Sequence, residues 1–320
     1  MDSPNEFLFS VDGTPVLTKS DIHTIGAKQK GGKTSLVGIL IAAILCGQWN
    51  RVRCLLDGAT VLYVDTEMKP IDTQELAHKV AKMAGMDVEA IKERLHMVNF
   101  RPLTPEEMET GIRYFVSKYK PTLVVIDGVV DLCSNFNDVE ASQRLVLGFL
   151  IKIAEKFKCA IINVLHTNKT DGYTELRGHL GAFFEQKGST VMRCEKDEAN
   201  NLVTVKFSTH RYAPVSDFHF TFDDDGLPIC ADGIHQQKVE DELRAKEEQK
   251  DAKKQKVMQN RIKVVTDILS SNGGQMNRKD LIPLVMDSIG KGKTSADTLI
   301  RNMKEMPNPP IVENNGSSPI

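Results

Sequence analysis

The stretch from Ile22 to Ser35 limits the folds open to this chain more than any other. A short β-like run, Ile22-His23-Thr24-Ile25, enters the loop Gly26-Ala27-Lys28-Gln29-Lys30-Gly31-Gly32-Lys33-Thr34-Ser35, and the chain leaves through the apolar segment Leu36 to Cys46. Strand, Gly/Lys-rich loop and helix in that order make a phosphate-binding P-loop. Gly31 and Gly32 let backbone N–H groups close round an anion where a Cβ would crowd it. The following helix aims its positive dipole end at the same place. Lys33 is placed to reach β- and γ-phosphates and the Thr34 hydroxyl to hold Mg²⁺. Ala27, Lys28, Gln29, Lys30 and Ser35 complete the expected cradle for ATP. The strict pattern has Gly five residues before Gly32; this chain has Ala27 there, with Gly26 one place earlier.

A chain of 320 residues holds one large α/β domain and a smaller one. The formal net charge of −2 gives no global pull toward nucleic acid, so any DNA contact must use local basic surface. Six scattered cysteines (Cys46, Cys54, Cys133, Cys159, Cys194, Cys230) include no Cys-x-x-Cys pair and read as reduced, buried thiols. No apolar run approaches membrane-spanning length, which points to a cytoplasmic protein with no membrane partner.

Strand-like and helix-like segments alternate through residue 178. Helical patterns cover Leu36–Asn50, Asp72–Gly85, Val88–Leu95, Pro105–Tyr119 and Ser142–Lys158. Near-continuous apolar strands cover Ala59–Asp65, Thr122–Asp127 and Ala160–His166, with a further strand at His96–Phe100. Such alternation predicts βαβ units and a mostly parallel central sheet. Thr190–Cys194, Leu202–Ser208 and Phe218–Phe222 follow with short turns and read as an antiparallel extension. The expected division is an α/β ATPase domain over 1–233, a charged linker or exposed helix over 234–257, and a small helical, winged-helix-like domain over 258–320.

In doubly wound sheets, ligands collect at the carboxyl ends of strands. Asp127 follows the clearest strand and suits the carboxylate that orders a Mg²⁺ shell beside Thr34. Asp65-Thr66-Glu67 follows the strand after the P-loop, and Glu67 is the candidate base that polarises an attacking water. His166 ends a third strand, where a polar side chain can sense the γ-phosphate.

The order P-loop, Glu67, Asp127, His166 resembles the RecA-type ATPase core. The segment Glu175 to Val191 and the turn Phe207-Ser208-Thr209-His210-Arg211-Tyr212-Ala213-Pro214 are similar to parts of hexameric replicative helicases, above all RepA-like ATPases of plasmids and mobilizable elements. The resemblance covers roughly residues 15–230. It implies ATP hydrolysis, a homo-oligomeric, hexameric ring, and an arginine finger at Arg211, with Thr209 standing where that family often has lysine. It also implies that Lys169, Arg177 and His179, in the loop after the third strand, face single-stranded DNA. In the tail, Lys293 and Arg301 flank the last helix and suit DNA phosphates. Two functions follow: a DNA helicase acting in replication or mobilization, or a non-processive DNA-binding ATP switch. A small-molecule kinase fits the linker and helical tail less well.

Overall fold

The computed structural model describes residues 6–167, 175–306 and 309–311, the side chains of 234–247, 251 and 254 apart. The chain divides into two units, Met1–His235 and Gln236–Ile320.

The first unit begins with β1 (Phe7–Val11), β2 (Thr14–Thr18) and β3 (Ile22–Ala27), which runs into the P-loop and α1 (Lys33–Cys46). β4 (Gln48–Trp49) and β5 (Val52–Cys54) join the β1–β2 hairpin in a small antiparallel sheet of order β2-β1-β5-β4. The chain continues through β6 (Val61–Asp65), α2 (Pro70–Ala84), α3 (Val88–Ile91), β7 (Leu95–Asn99), α4 (Pro105–Tyr119) and β8 (Leu123–Asp127). Next, α5 (Val139–Gln143) and α6 (Ile151–Phe157) are joined by a π-helical run, Arg144–Leu150. β9 (Ala160–His166), α7 (Gly178–Lys187), β10 (Thr190–Asp197), β11 (Leu202–His210), β12 (Phe218–Phe222) and β13 (Pro228–Cys230) complete the unit.

The large sheet has the order β13-β12-β11-β10-β3-β9-β8-β6-β7. From β10 to β7 every pairing is parallel, and β11 to β13 add on antiparallel. The α/β class and the mostly parallel sheet are as expected. One assignment changes: Thr190–Cys194 is the sixth parallel strand, paired with β3 from Thr190↔His23 to Cys194↔Ala27, and the antiparallel extension begins with β11 on its other side. Its crossover is α7, which brings the chain back to the starting edge of the sheet.

Alternation along each strand splits the core into two layers. Val61, Tyr63, Leu123, Val125, Ile162 and Val164 face α1 and α2. Leu62, Val64, Val124, Ile126, Ile161 and Leu165 face α4, α6 and α7. α1 is apolar all round and buried along nearly its whole length, as a helix between a sheet and its neighbours must be. Each of its fully buried leucines and isoleucines contributes about 1.5–3 kcal/mol. α4 begins with a capping box, in which Thr104 accepts from the Glu107 N–H and Glu107 accepts from the Thr104 N–H.

Other boundaries differ from the sequence pattern. α1 stops at Cys46 because Gly47 takes φ +88°, and Gln48–Trp49 turns into a strand. α3 ends at Ile91, leaving Leu95 to begin β7. Cys46 and Cys230 are exposed and Cys54 half-buried, so only Cys133, Cys159 and Cys194 are the buried thiols expected of all six.

The second unit takes in most of α8 (Asp232–Ser271), with α9 (Arg278–Ile289) and α10 (Lys293–Lys304). The charged stretch is therefore helix, and its described side chains from Glu248 to Val257 are exposed. Val265, Leu269, Leu281, Val285, Leu299 and Ile300 form a separate core. The last described residues, 309–311, contain no strand, and most of the expected wing lies outside the described residues. No helix among the described residues is long and apolar enough to cross a membrane.

Candidate active site

Asp65 and Asp127 end neighbouring parallel strands level with one another, His166 ends the next strand two residues further on, and all three share the parity of the α1-facing residues. β9 lies between the P-loop strand β3 and β8. The strand ends therefore line up on one rim, beside the start of α1, and a cavity of about 300 Å³ opens there. Gln29 to Ser35, Glu67, Asp127, His166 and Phe222 wall it.

The P-loop wraps this cavity tightly. A Cβ on Gly31 would stand 2.9 Å from both the Ala27 Cβ and the Lys28 carbonyl oxygen. Ala27 thus takes the first position of the motif without crowding, because Gly31 leaves room for its methyl. α1 has no side-chain cap and no acid in its first turn, so its N–H groups and dipole face the cavity uncompensated.

Lys33 is buried, and burial pulls its pKa down while Asp127 and Glu67 hold it up. Its Nζ donates to the Lys28 carbonyl at 3.2 Å and to His166 Nδ1 at 3.1 Å. An ammonium can only donate, so Nδ1 accepts and the ring carries its proton on Nε2. That nitrogen stands 3.7 Å from Glu67 Oε1 and, with Lys33, holds the Glu67 carboxyl below the usual range. Lys33, His166 and Glu67 form one chain of polar contacts across the cavity floor.

Asp127 Oδ2 accepts from Thr34 Oγ1 at 3.3 Å and from the Tyr63 hydroxyl at 2.8 Å. Burial pushes Asp127 up to about 6, against the pull of the Tyr63 hydroxyl. Tyr63 is fully buried and lies two residues before Asp65 on the same face of β6. Nothing marks it in the sequence except a hydroxyl-bearing ring at the right parity inside an apolar run. Asp65, by contrast, is taken up in local hydrogen bonds. Its carboxylate accepts from the Glu67 and Met68 N–H groups and from Thr73 Oγ1, tying the strand end to α2. Gly128, the residue after Asp127, has φ +101°, and a Cβ there would stand 2.1 Å from Thr66 Oγ1 and 2.6 Å from Glu67 Cγ. Only glycine lets β6 and β8 end this close together.

A second cavity of about 240 Å³ shares Thr34 and Ser35 with the first. Met68, Leu76, Met83 and Pro228 give it apolar walls, and Asp72, Glu75 and Lys79 give it polar edges. The two together suit a phosphate chain and a nucleoside.

This donor set fits a nucleoside triphosphate with Mg²⁺. The Gly31 cradle and the open end of α1 suit phosphate, and the Thr34 hydroxyl and Asp127 carboxylate are hard oxygen ligands. Bound there, Mg²⁺ would supply charge neutralisation of the phosphates. The AAA domain family matches residues 11–172, half the chain, which takes in the P-loop, Glu67, Asp127 and His166. The chain belongs to the AAA domain family. This AAA domain is also similar to a crystal structure of the RadB recombinase, at 19% identity and a TM-score of 0.48, over 66% of this chain and 91% of that one. A search of curated proteins found no match.

Arg211, Arg177 and His179 are not among the residues that wall the AAA domain's P-loop cavity. Arg211 follows β11, level with the start of β3, at the opposite end of the strands from the P-loop. Its Nη2 donates to the Lys187 carbonyl at 3.1 Å. Lys169 lies outside the described residues. Arg177 donates its backbone N–H to the His166 carbonyl, and its exposed guanidinium covers the Phe136 ring at 4.7 Å. His179 is exposed in the first turn of α7. Lys293 and Arg301 belong to the second unit.

Tyr63→Phe keeps the shape of the ring and removes one charge-assisted hydrogen bond, worth about 1.5–3 kcal/mol. The Mg²⁺ concentration giving half-maximal ATP turnover should rise about tenfold. Binding of a fluorescent nucleotide without metal should stay unchanged. A magnesium titration of both proteins checks this.

Proposed function

We propose that this chain hydrolyses ATP with Mg²⁺ and couples hydrolysis to single-stranded DNA, as a RecA-type, RepA-like ring ATPase or helicase in the replication or mobilization of a plasmid or transposon. One observation carries the reading: Lys33, Thr34, Glu67, Asp127 and His166 converge on a single cavity. In this reading, Lys33 and the P-loop backbone hold the phosphates, and Thr34 and Asp127 hold the metal. Glu67 orients the water and accepts its proton. His166 touches Lys33 and Glu67 on one side, and its carbonyl accepts from the Arg177 N–H on the other. A change in its contacts is felt at the base of the loop that carries Arg177.

The alternative is a non-processive ATP switch that binds DNA without unwinding it. It is favoured by Arg211, whose guanidinium is engaged by its own chain at Lys187, and by Thr209 in place of the lysine. ATPase assays with and without single-stranded DNA, beside strand displacement of a forked duplex, separate the two, with Lys33→Ala as the inactive control. Unwinding supports the motor, and DNA-stimulated ATPase without unwinding supports the switch. ATPase activity indifferent to DNA would overturn both.

A further inference from the structure

The helices of the second unit are built in a recognisable way. α9 ends at Gly290, whose φ of +62° closes the helix, and α10 starts after Gly292. Two helices joined by three residues, with glycine in the turn, have the chain layout of a helix-turn-helix. α10 buries Ala296, Leu299, Ile300 and Met303 in one stripe, against a core that includes Leu281, Val285 and the end of α8. The opposite stripe presents Thr294, Arg301 and Asn302 to solvent, with Lys291 and Lys293 at its entry.

Charge on this surface departs from that of the whole chain. The chain is slightly acidic, but α9, the turn and α10 carry Arg278, Lys279, Lys291, Lys293, Arg301 and Lys304 against Asp280, Asp287 and Asp297. Asp297, the one acid within α10, is held by Arg278 at 2.7 Å, and that guanidinium keeps its carboxyl below the usual range. The first turn of α10 holds no acid. A short, exposed, polar helix edge flanked by cations and uninterrupted by a free carboxylate until Glu305 suits the floor and walls of a duplex groove.

We propose that α10 docks in the major groove of double-stranded DNA. Lys291, Lys293 and Arg301 contact phosphates, and Thr294 and Asn302 lie toward the base edges. This site is separate from the single-strand contacts of the ATPase reading and does not depend on them. It assigns the chain a duplex anchor beside its nucleotide-driven unit.

The test uses the full chain, a fluorescent random-sequence duplex and fluorescence anisotropy across a salt series. Lys293→Ala with Arg301→Ala should weaken duplex binding about tenfold or more and lower the salt slope by about 2. Basal ATP turnover should stay unchanged. Thr294→Glu provides a second variant, since an acid in the first turn favours the helix while repelling phosphate. It should keep or raise the melting temperature and still lose duplex binding. Lys33→Ala should bind duplex like the parent, so a failed ATPase reading leaves this result readable. Duplex binding unchanged in both α10 variants, absent from the parent at low salt, or matched by an equal loss of single-strand binding would overturn the assignment.

Discussion

Glu67→Gln is expected to slow ATP turnover about 10²–10⁴-fold, the range lost when a positioned proton acceptor is removed. Gln has the same shape and can still accept from His166, but it cannot take a proton from water. The side chain is 44% exposed, so the change should leave folding untouched. Nucleotide binding should also persist, because Lys33, Thr34 and the P-loop backbone carry it. The carboxyl is held low by His166 first and Lys33 second, so it is ionised throughout neutral pH. The deficit should therefore be flat from about pH 6 to pH 8. Steady-state hydrolysis across that range, with equilibrium nucleotide binding beside it, checks the expectation. Turnover within threefold of the parent would remove Glu67 from the chemistry.

Arg211→Ala is expected to cost about 10³-fold, the lower end of what an arginine finger contributes. The position of Arg211 at the far end of the strands means that it cannot reach its own P-loop. The loss must come from a neighbour's site, and this gives the prediction a distinctive form. Arg211→Ala lacks only the donated arginine, and Lys33→Ala lacks only the receiving site. Mixed together, the two inactive proteins should regain activity wherever an intact site meets an intact Arg211. Size-exclusion with light scattering, with and without a non-hydrolysable nucleotide, should show assembly in parallel. A strict monomer, or a mixture as inactive as its parts, would leave Arg211 as a strand-end residue bonded to Lys187.

Several features of the site were legible in the sequence for a simple reason. A buried parallel strand alternates its faces, so an acid or histidine at its end inherits a known direction, and the P-loop names the face that matters. Asp127, Glu67 and His166 follow from that. What stayed hidden depended on three-dimensional neighbours. Tyr63 reads as one more apolar strand residue until β8 places Asp127 beside it. Asp65 has no assigned part in the sequence, and its role shows only where the N–H groups of Glu67 and Met68 turn back onto it. The parallel pairing of β10 with β3 is hidden because the short turn after β10 marks only its antiparallel neighbour β11, and the crossover α7 is only ten residues long. The two exposed cysteines sit beside element ends, Cys46 at the end of α1 and Cys230 on the edge strand β13. Local composition does not separate such positions from interior ones.

The contact between Ala27 and the position of Gly31 bears on how such loops are recognised. The phosphate loop has space for a single methyl group shared between two sites four residues apart, and this chain has spent it on the first. A search pattern that demands glycine at that first site describes a habit of spelling, whereas the physical requirement is a limit on volume. Loops written Ala-x-x-x-Gly-Gly-Lys-Thr satisfy that limit as well as the usual spelling does.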